Sequence, residues 1–152
     1  ILKKTEPTNP LYSLDKQQSS LVYYDKNTIV LTMPYWVKVT NSSVEDSEVK
    51  KHSFVLSYDP EAMTASDTKL KLYISHVVED AGETVTRSNF TYAYRAYSIR
   101  AALAAFKEKT GKLPKYLELT AEINNSKDEL VDKDGKETSV ERSVEYDYAF
   151  TE

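Results

Sequence analysis

Apolar and polar residues alternate with a period of two over much of this chain. In residues 28–40, Ile29, Leu31, Met33, Tyr35, Val37 and Val39 fall on one side of an extended backbone, and Thr28, Val30, Thr32, Trp36 and Lys38 on the other. That spacing predicts a half-buried strand. Pro34 has no N–H to donate, so the strand must lie at an edge or bend there. Residues 49–58 alternate in the same way through Phe54, Leu56 and Tyr58, and Asp59-Pro60 ends the run. The clearest alternation spans 68–79, with Leu70, Leu72, Ile74, His76 and Val78 facing one way and Lys69, Lys71, Tyr73 and Ser75 the other. A short apolar run at 21–25 precedes the first of these strands, and the polar stretch 41–47 reads as a loop.

Residues 80–83 are predicted to form a hairpin loop in which Gly82 supplies a positive φ. The chain then returns over 84–94, with Phe90, Tyr92 and Tyr94 on one face. Phe90, Tyr94, Tyr97 and Ala101 also fit a helical stripe, so a helix starting near 88 stays open. The one strong 3.6-residue period covers 98–109, where Ile99, Ala102, Leu103 and Phe106 line one face. Ser98 is placed to cap its start, Lys107 and Lys109 suit the negative end of the helix dipole, and Gly111 and Pro114 stop it. Two further strands follow at 116–123 and 140–150, joined by the long polar segment 124–139.

These elements predict an α+β fold: a curved, mainly antiparallel sheet of five to seven strands with one principal helix, at about 98–110, packed on it. Residues 1–20, with Pro7, Pro10 and a Gln-Gln-Ser-Ser run, read as an N-terminal linker, and 21–152 as a single α+β domain. A total of 152 residues suits one domain, and 12 Tyr, 4 Phe and 1 Trp supply the apolar area to close a core.

Composition removes several chemistries. With no cysteine there are no disulfides, thiolate metal sites or thiol nucleophiles, and two histidines are too few for a multi-histidine metal centre. No apolar run approaches the roughly 20 residues of a membrane span. The net charge of −4 disfavours nucleic acid as a partner. Phosphate-binding loops, nucleophile elbows and zinc-protease motifs are missing. The carboxylates Glu118 and Glu122, and Glu145 and Asp147, are near neighbours on strands and read as solvated faces rather than a glycosidase pair. His52 and His76 both share the apolar face of their strands and read as hydrogen-bonded core imidazoles. Asp132-Lys133-Asp134-Gly135 begins like a calcium loop but lacks the preceding ligand, and reads as a reverse turn. The expectation is a protein without cofactor or metal, and not an enzyme.

Two features point to binding. Tyrosine crowds the predicted strands, and Tyr combines large contact area with little side-chain entropy. Charge is also uneven: residues 1–110 hold 14 Lys/Arg against 13 Asp/Glu, whereas 111–152 hold 6 against 11. In 124–139 the apolar pair Leu130 and Val131 sits among Asp128, Glu129, Asp132, Asp134 and Glu137. A small apolar contact rimmed by carboxylates suits a protein partner with a basic surface. The candidate partner-binding residues are therefore Asp128, Glu129, Leu130, Asp132, Asp134 and Glu137.

The absence of cysteine and a first residue other than Met lead to the expectation of a bacterial extracytoplasmic domain, secreted or held by an anchor upstream. The function expected is non-catalytic protein binding, as in an immunity-type inhibitor of a secreted toxin or an accessory subunit of a surface assembly. A small-ligand carrier or enzyme with a pocket between helix and sheet is one alternative. A phage or secretion-apparatus subunit that self-assembles through strand edges is another.

Overall fold

A computed structural model of the chain describes residues 7–16, 19–80, 85, 87, 89–124, 140–148 and 150. The described residues form seven strands in two sheets, with two α-helices. The first sheet joins β1 (Ser20–Asp25), β2 (Thr28–Val37) and β5 (Asn89–Ser98) in the order β1-β2-β5, all antiparallel. The second has the order β3-β4-β6-β7, from β3 (His52–Ser57), β4 (Lys69–Val78), β6 (Tyr116–Ile123) and β7 (Val140–Asp147). Its central pair, β4 and β6, is parallel. A parallel pair needs a crossover. Here it runs through β5 and α2 (Arg100–Thr110), while α1 (Asp46–Val49) is a single turn before β3.

The single curved sheet expected from the alternation is thus two sheets. Helix α2 buries only Ala102, Leu103 and Phe106, too little apolar area to cover the faces of seven strands. The strands therefore cover one another. Ile29, Leu31, Met33, Tyr35 and Val37 of β2 share one core with Leu70, Leu72 and Ile74 of β4 and with Leu117, Leu119, Ala121 and Ile123 of β6.

Residues 8–14 were expected to lie in a linker, yet they are a strap built into this core. Leu11 and Leu14 are each 1% exposed. The strap inserts where β4 and β6 diverge beyond Tyr73 and Thr120, the last pair of their ladder. Leu11 N–H donates to Glu122 O (2.9 Å) and Leu11 O accepts from Asn124 N–H (2.8 Å). Thr8 and Asn9 donate their N–H groups to His76 O at 3.0 and 3.2 Å. The strap also explains how Pro34 fits inside a strand. β1 pairs with β2 only as far as Thr32, and beyond it Tyr12 N–H donates to Pro34 O (2.9 Å). In a strand a residue's C=O and N–H point to the same side, so the donor Pro34 lacks faces the strap and not the ladder with β5.

β5 runs to Ser98 and leads straight into α2, which closes the helical option for residues 89–97. Ile99, not Ser98, holds the N-cap position; its N–H donates to Asn27 O at 2.7 Å. Gly111 ends the helix in the left-handed conformation at φ 81°, its N–H returning to Lys107 O. The predicted loop at 41–47 contains the start of α1.

Phe106 is 1% exposed and belongs to the common core. Phe106→Ala should lower unfolding stability by about 3–5 kcal/mol in denaturant melts. Glu108→Ala, on the exposed side of the same helix, should change it by no more than about 0.5 kcal/mol.

Candidate functional site

The six acidic-loop residues proposed as a docking site, Asp128, Glu129, Leu130, Asp132, Asp134 and Glu137, lie outside the described residues. Among those described, three features stand out: a buried ionic relay, an aromatic sheet face and an apolar groove.

The relay starts at the strap and crosses the core. The rings of His76 on β4 and His52 on β3 are brought side by side, because His52 pairs with Val78 and His76 with Phe54 across the same apolar face. His76 Nδ1 lies 3.0 Å from Pro10 O, and its Nε2 lies 2.7 Å from His52 Nδ1. His52 Nε2 in turn meets Glu48 Oε2 at 2.9 Å. Arg87 then grips Glu48 through Nε (2.8 Å) and Nη2 (3.1 Å), and Asp80 through Nη1 (2.8 Å) and Nη2 (2.7 Å). Lys38 N–H gives Glu48 Oε2 a further bond at 2.9 Å. Tyr35 meets both imidazoles edge-on, and Phe54 stacks on His76 with centroids 4.9 Å apart.

All four central groups are deeply buried, Arg87 at 1% exposure and Glu48 at 5%. Burial alone would raise the Glu48 pKa. The bonds from Arg87, His52 and Lys38 outweigh it and hold the carboxylate at about 2. Burial draws His76 down to about 3, with His52 beside it adding to the effect. Burial also pulls His52 below its ordinary value, against the opposing pull of Glu48. Burial works against the Arg87 charge, but its two carboxylate partners hold it firmly protonated.

Sequence reasoning placed the two imidazoles in the core and missed their partners. Glu48 fell at the edge of a predicted loop and strand, and Arg87 within a strand read only by its apolar positions. The one available signal was the spacing of Glu48 and His52, four apart as on a helix face.

The aromatic face is the outer side of the β1-β2-β5 sheet. Phe90, Tyr92 and Tyr94 stand in a row on β5 opposite Trp36, Pro34 and Thr32. Tyr12 of the strap stacks on Phe90 with centroids 4.1 Å apart, and Trp36 meets Tyr12 edge-on. Tyr94 is 66% exposed and Tyr24 of β1 79%. The groove, about 690 Å³, opens between the β3-β4 edge and the β5-α2 junction. Leu56, Tyr58, Leu72, Tyr97, Ile99 and Ala102 line it, with no charged side chain among its lining residues. The Tyr97 hydroxyl is already committed to Phe54 O at 2.7 Å.

Of the four carboxylates weighed as glycosidase pairs, Glu118 with Glu122 and Glu145 with Asp147, one from each pair shares a lysine. Glu118 and Glu145 face each other across β6 and β7, and Lys69 Nζ lies 3.8 and 2.7 Å from them.

Removing one relay partner leaves a buried charge unpaired. Arg87→Met should therefore cost about 3–5 kcal/mol in a denaturant melt at pH 7. The acid limb has a definite sign. Both imidazoles titrate below the 6.5 of an unfolded chain, so on acidification the unfolded state takes up protons first. Their contribution to stability is complete above about pH 6.5 and is lost as pH falls. Glu48 adds a second loss once pH drops below the 4.5 of a free carboxyl. Thermal melts from pH 8 to pH 3 should show Tm falling in that order.

No protein-family model matches the chain, and no curated protein matches it. Among solved structures, it is similar to the crystal structure of a candidate lipoprotein from Bacteroides fragilis, with a TM-score of 0.78 and 27% sequence identity. The match covers 98% of this chain and 66% of that one, so this chain spans just under two thirds of its length.

Proposed function

We propose that this chain is a non-catalytic, extracytoplasmic binding domain of a bacterial surface protein that holds a protein partner on the outer face of the β1-β2-β5 sheet. The observation that carries this reading is the row Phe90, Tyr92 and Tyr94, in register on one strand and open to solvent. Exposed aromatics clustered on a rigid sheet have the composition of a contact centre. The likeness to a candidate lipoprotein supports an extracytoplasmic setting. No described helix is long and apolar enough to cross a membrane. The buried relay supports a non-catalytic role, because its imidazoles are only 5% and 1% exposed.

In this proposal the acid of residues 111–152, with Asp128, Glu129, Leu130, Asp132, Asp134 and Glu137 among them, steers a partner with a basic surface. An inhibitor of a secreted toxin and an accessory subunit of a surface assembly both fit. A second reading, a carrier of a small uncharged ligand, is favoured by the groove beside Tyr97 and Ile99.

Photo-crosslinking on the native cells tests the choice. A benzophenone side chain at Tyr94 should trap a protein partner, and one at Glu108 should not. Tyr92→Ser with Tyr94→Ser should weaken that partner's binding at least tenfold, the scale of a contact hot spot. Reversing Asp128, Glu129, Asp132 and Asp134 to Lys should slow its association about tenfold at low salt. Unchanged affinity in the folded Tyr variant would remove the aromatic face as the docking site.

A further inference from the structure

The hydrogen-bond relay from Pro10 to Glu48 has three contacts in series: Pro10 O with His76, His76 with His52, and His52 with Glu48. Each needs one proton between its two heavy atoms. Two neutral imidazoles and a carboxylate supply only two. All three contacts are satisfied together when His52 is an imidazolium, donating from Nδ1 to His76 and from Nε2 to Glu48, while His76 donates from Nδ1 to Pro10 O. Charge agrees with that count, because the positive His52 and Arg87 then balance Glu48 and Asp80.

With two protons, one contact must fail, and the packing decides which. Losing the proton between His52 and Glu48 would set a lone pair against a carboxylate that is held ionised, the costliest choice. Losing the one between the rings would set two lone pairs 2.7 Å apart, in rings confined by Tyr35 and Phe54. The contact to Pro10 O is the longest of the three, it joins neutral groups, and its acceptor belongs to a strap.

We propose that the relay is a proton-controlled latch on the N-terminal strap. With the third proton bound, His76 carries its hydrogen on Nδ1 and holds the Pro10 carbonyl. When that proton leaves, the hydrogen on His76 Nδ1 is lost and the one between the rings passes from His52 Nδ1 to His76 Nε2, so His52 becomes neutral and His76 exchanges tautomer. His52 then keeps its hydrogen on Nε2 for Glu48, and His76 carries its own on Nε2 for His52. His76 Nδ1 is left as a lone pair facing Pro10 O, and the strap loosens there. Among the described residues, the charged and titratable groups around the rings are Glu48 from α1, Lys51 and Asp80 beside the ends of β3 and β4, Arg87 before β5, and Tyr35 from β2. Lys51 Nζ lies 3.8 Å from Asp80 and offsets part of the negative charge left when the proton departs. Burial draws the His52 proton off more easily, against the pull of Glu48, so the latch closes on acidification below the ordinary imidazole range.

The test uses the whole chain with nitrogen-15 in its imidazoles, followed by NMR from pH 8 to pH 4. His76 should change from the Nε2–H to the Nδ1–H tautomer in step with His52 gaining its second proton. Over the same range the amide protection factors of Asn9 and Leu11 should rise about tenfold relative to Leu119, the scale of one hydrogen bond. A general destabilisation by acid would move them the opposite way, so the two effects separate by sign. In a folded His76→Phe variant the strap amides should lose this rise. A single His76 tautomer across the range, or strap protection indifferent to the titration in the unmodified chain, would overturn the latch whether or not the variant folds.

Discussion

The fold depends on how unpaired backbone is satisfied where β4 and β6 part company. Beyond Thr120, β6 continues with carbonyl and amide groups that β4 no longer meets, and buried groups of that kind must find partners. Leu11 supplies them, accepting from Asn124 and donating to Glu122, while Thr8 and Asn9 reach His76 O. The same segment continues to Tyr12, which meets Pro34 of the other sheet. One short strap therefore stitches the two sheets together, and its leucines fill the space between them. Without it, the splayed ends of β4 and β6 would be wet and the core open at that seam.

The relay beneath the strap follows from this arrangement. Two strands brought side by side in the core carry His52 and His76, and imidazole nitrogens cannot be left without partners in an apolar interior. The strap's Pro10 carbonyl satisfies one end. Glu48 satisfies the other, and a buried carboxylate in turn requires Arg87, which requires Asp80 at the rim. Each buried polar group is tolerated because the next one pairs with it. The chain of partners ends near the surface, where Lys51 lies beside Asp80.

The polar chemistry is thus turned inward, while aromatic surface is turned outward on the β1-β2-β5 sheet. On that sheet's outer side β5 places the exposed Tyr92 and Tyr94 against β2 in fixed register. In the proposed binding role, rigidity favours such a face, because little conformational freedom remains to be lost on binding.

Much of the secondary structure was legible in the sequence. Period-two runs marked β2, β3, β4 and β6, and the single 3.6-residue stripe marked α2 with Phe106 and Leu103 inward, because alternation reports which side of an element is buried. Alternation does not report what lies opposite, so one sheet was expected where two face each other. Pro7 and Pro10 disguised the strap as a linker, since proline and polar residues look the same in a tether and in a segment paired on one side only. The sequence by itself determined the faces of the strands, the stop at Gly111 and the core positions of His52 and His76. Only the tertiary structure decided that Glu48 and Arg87 would be buried beside them. A charge enters a core only when a partner distant in the chain arrives to neutralise it, and Glu48 and Arg87 meet through folding alone.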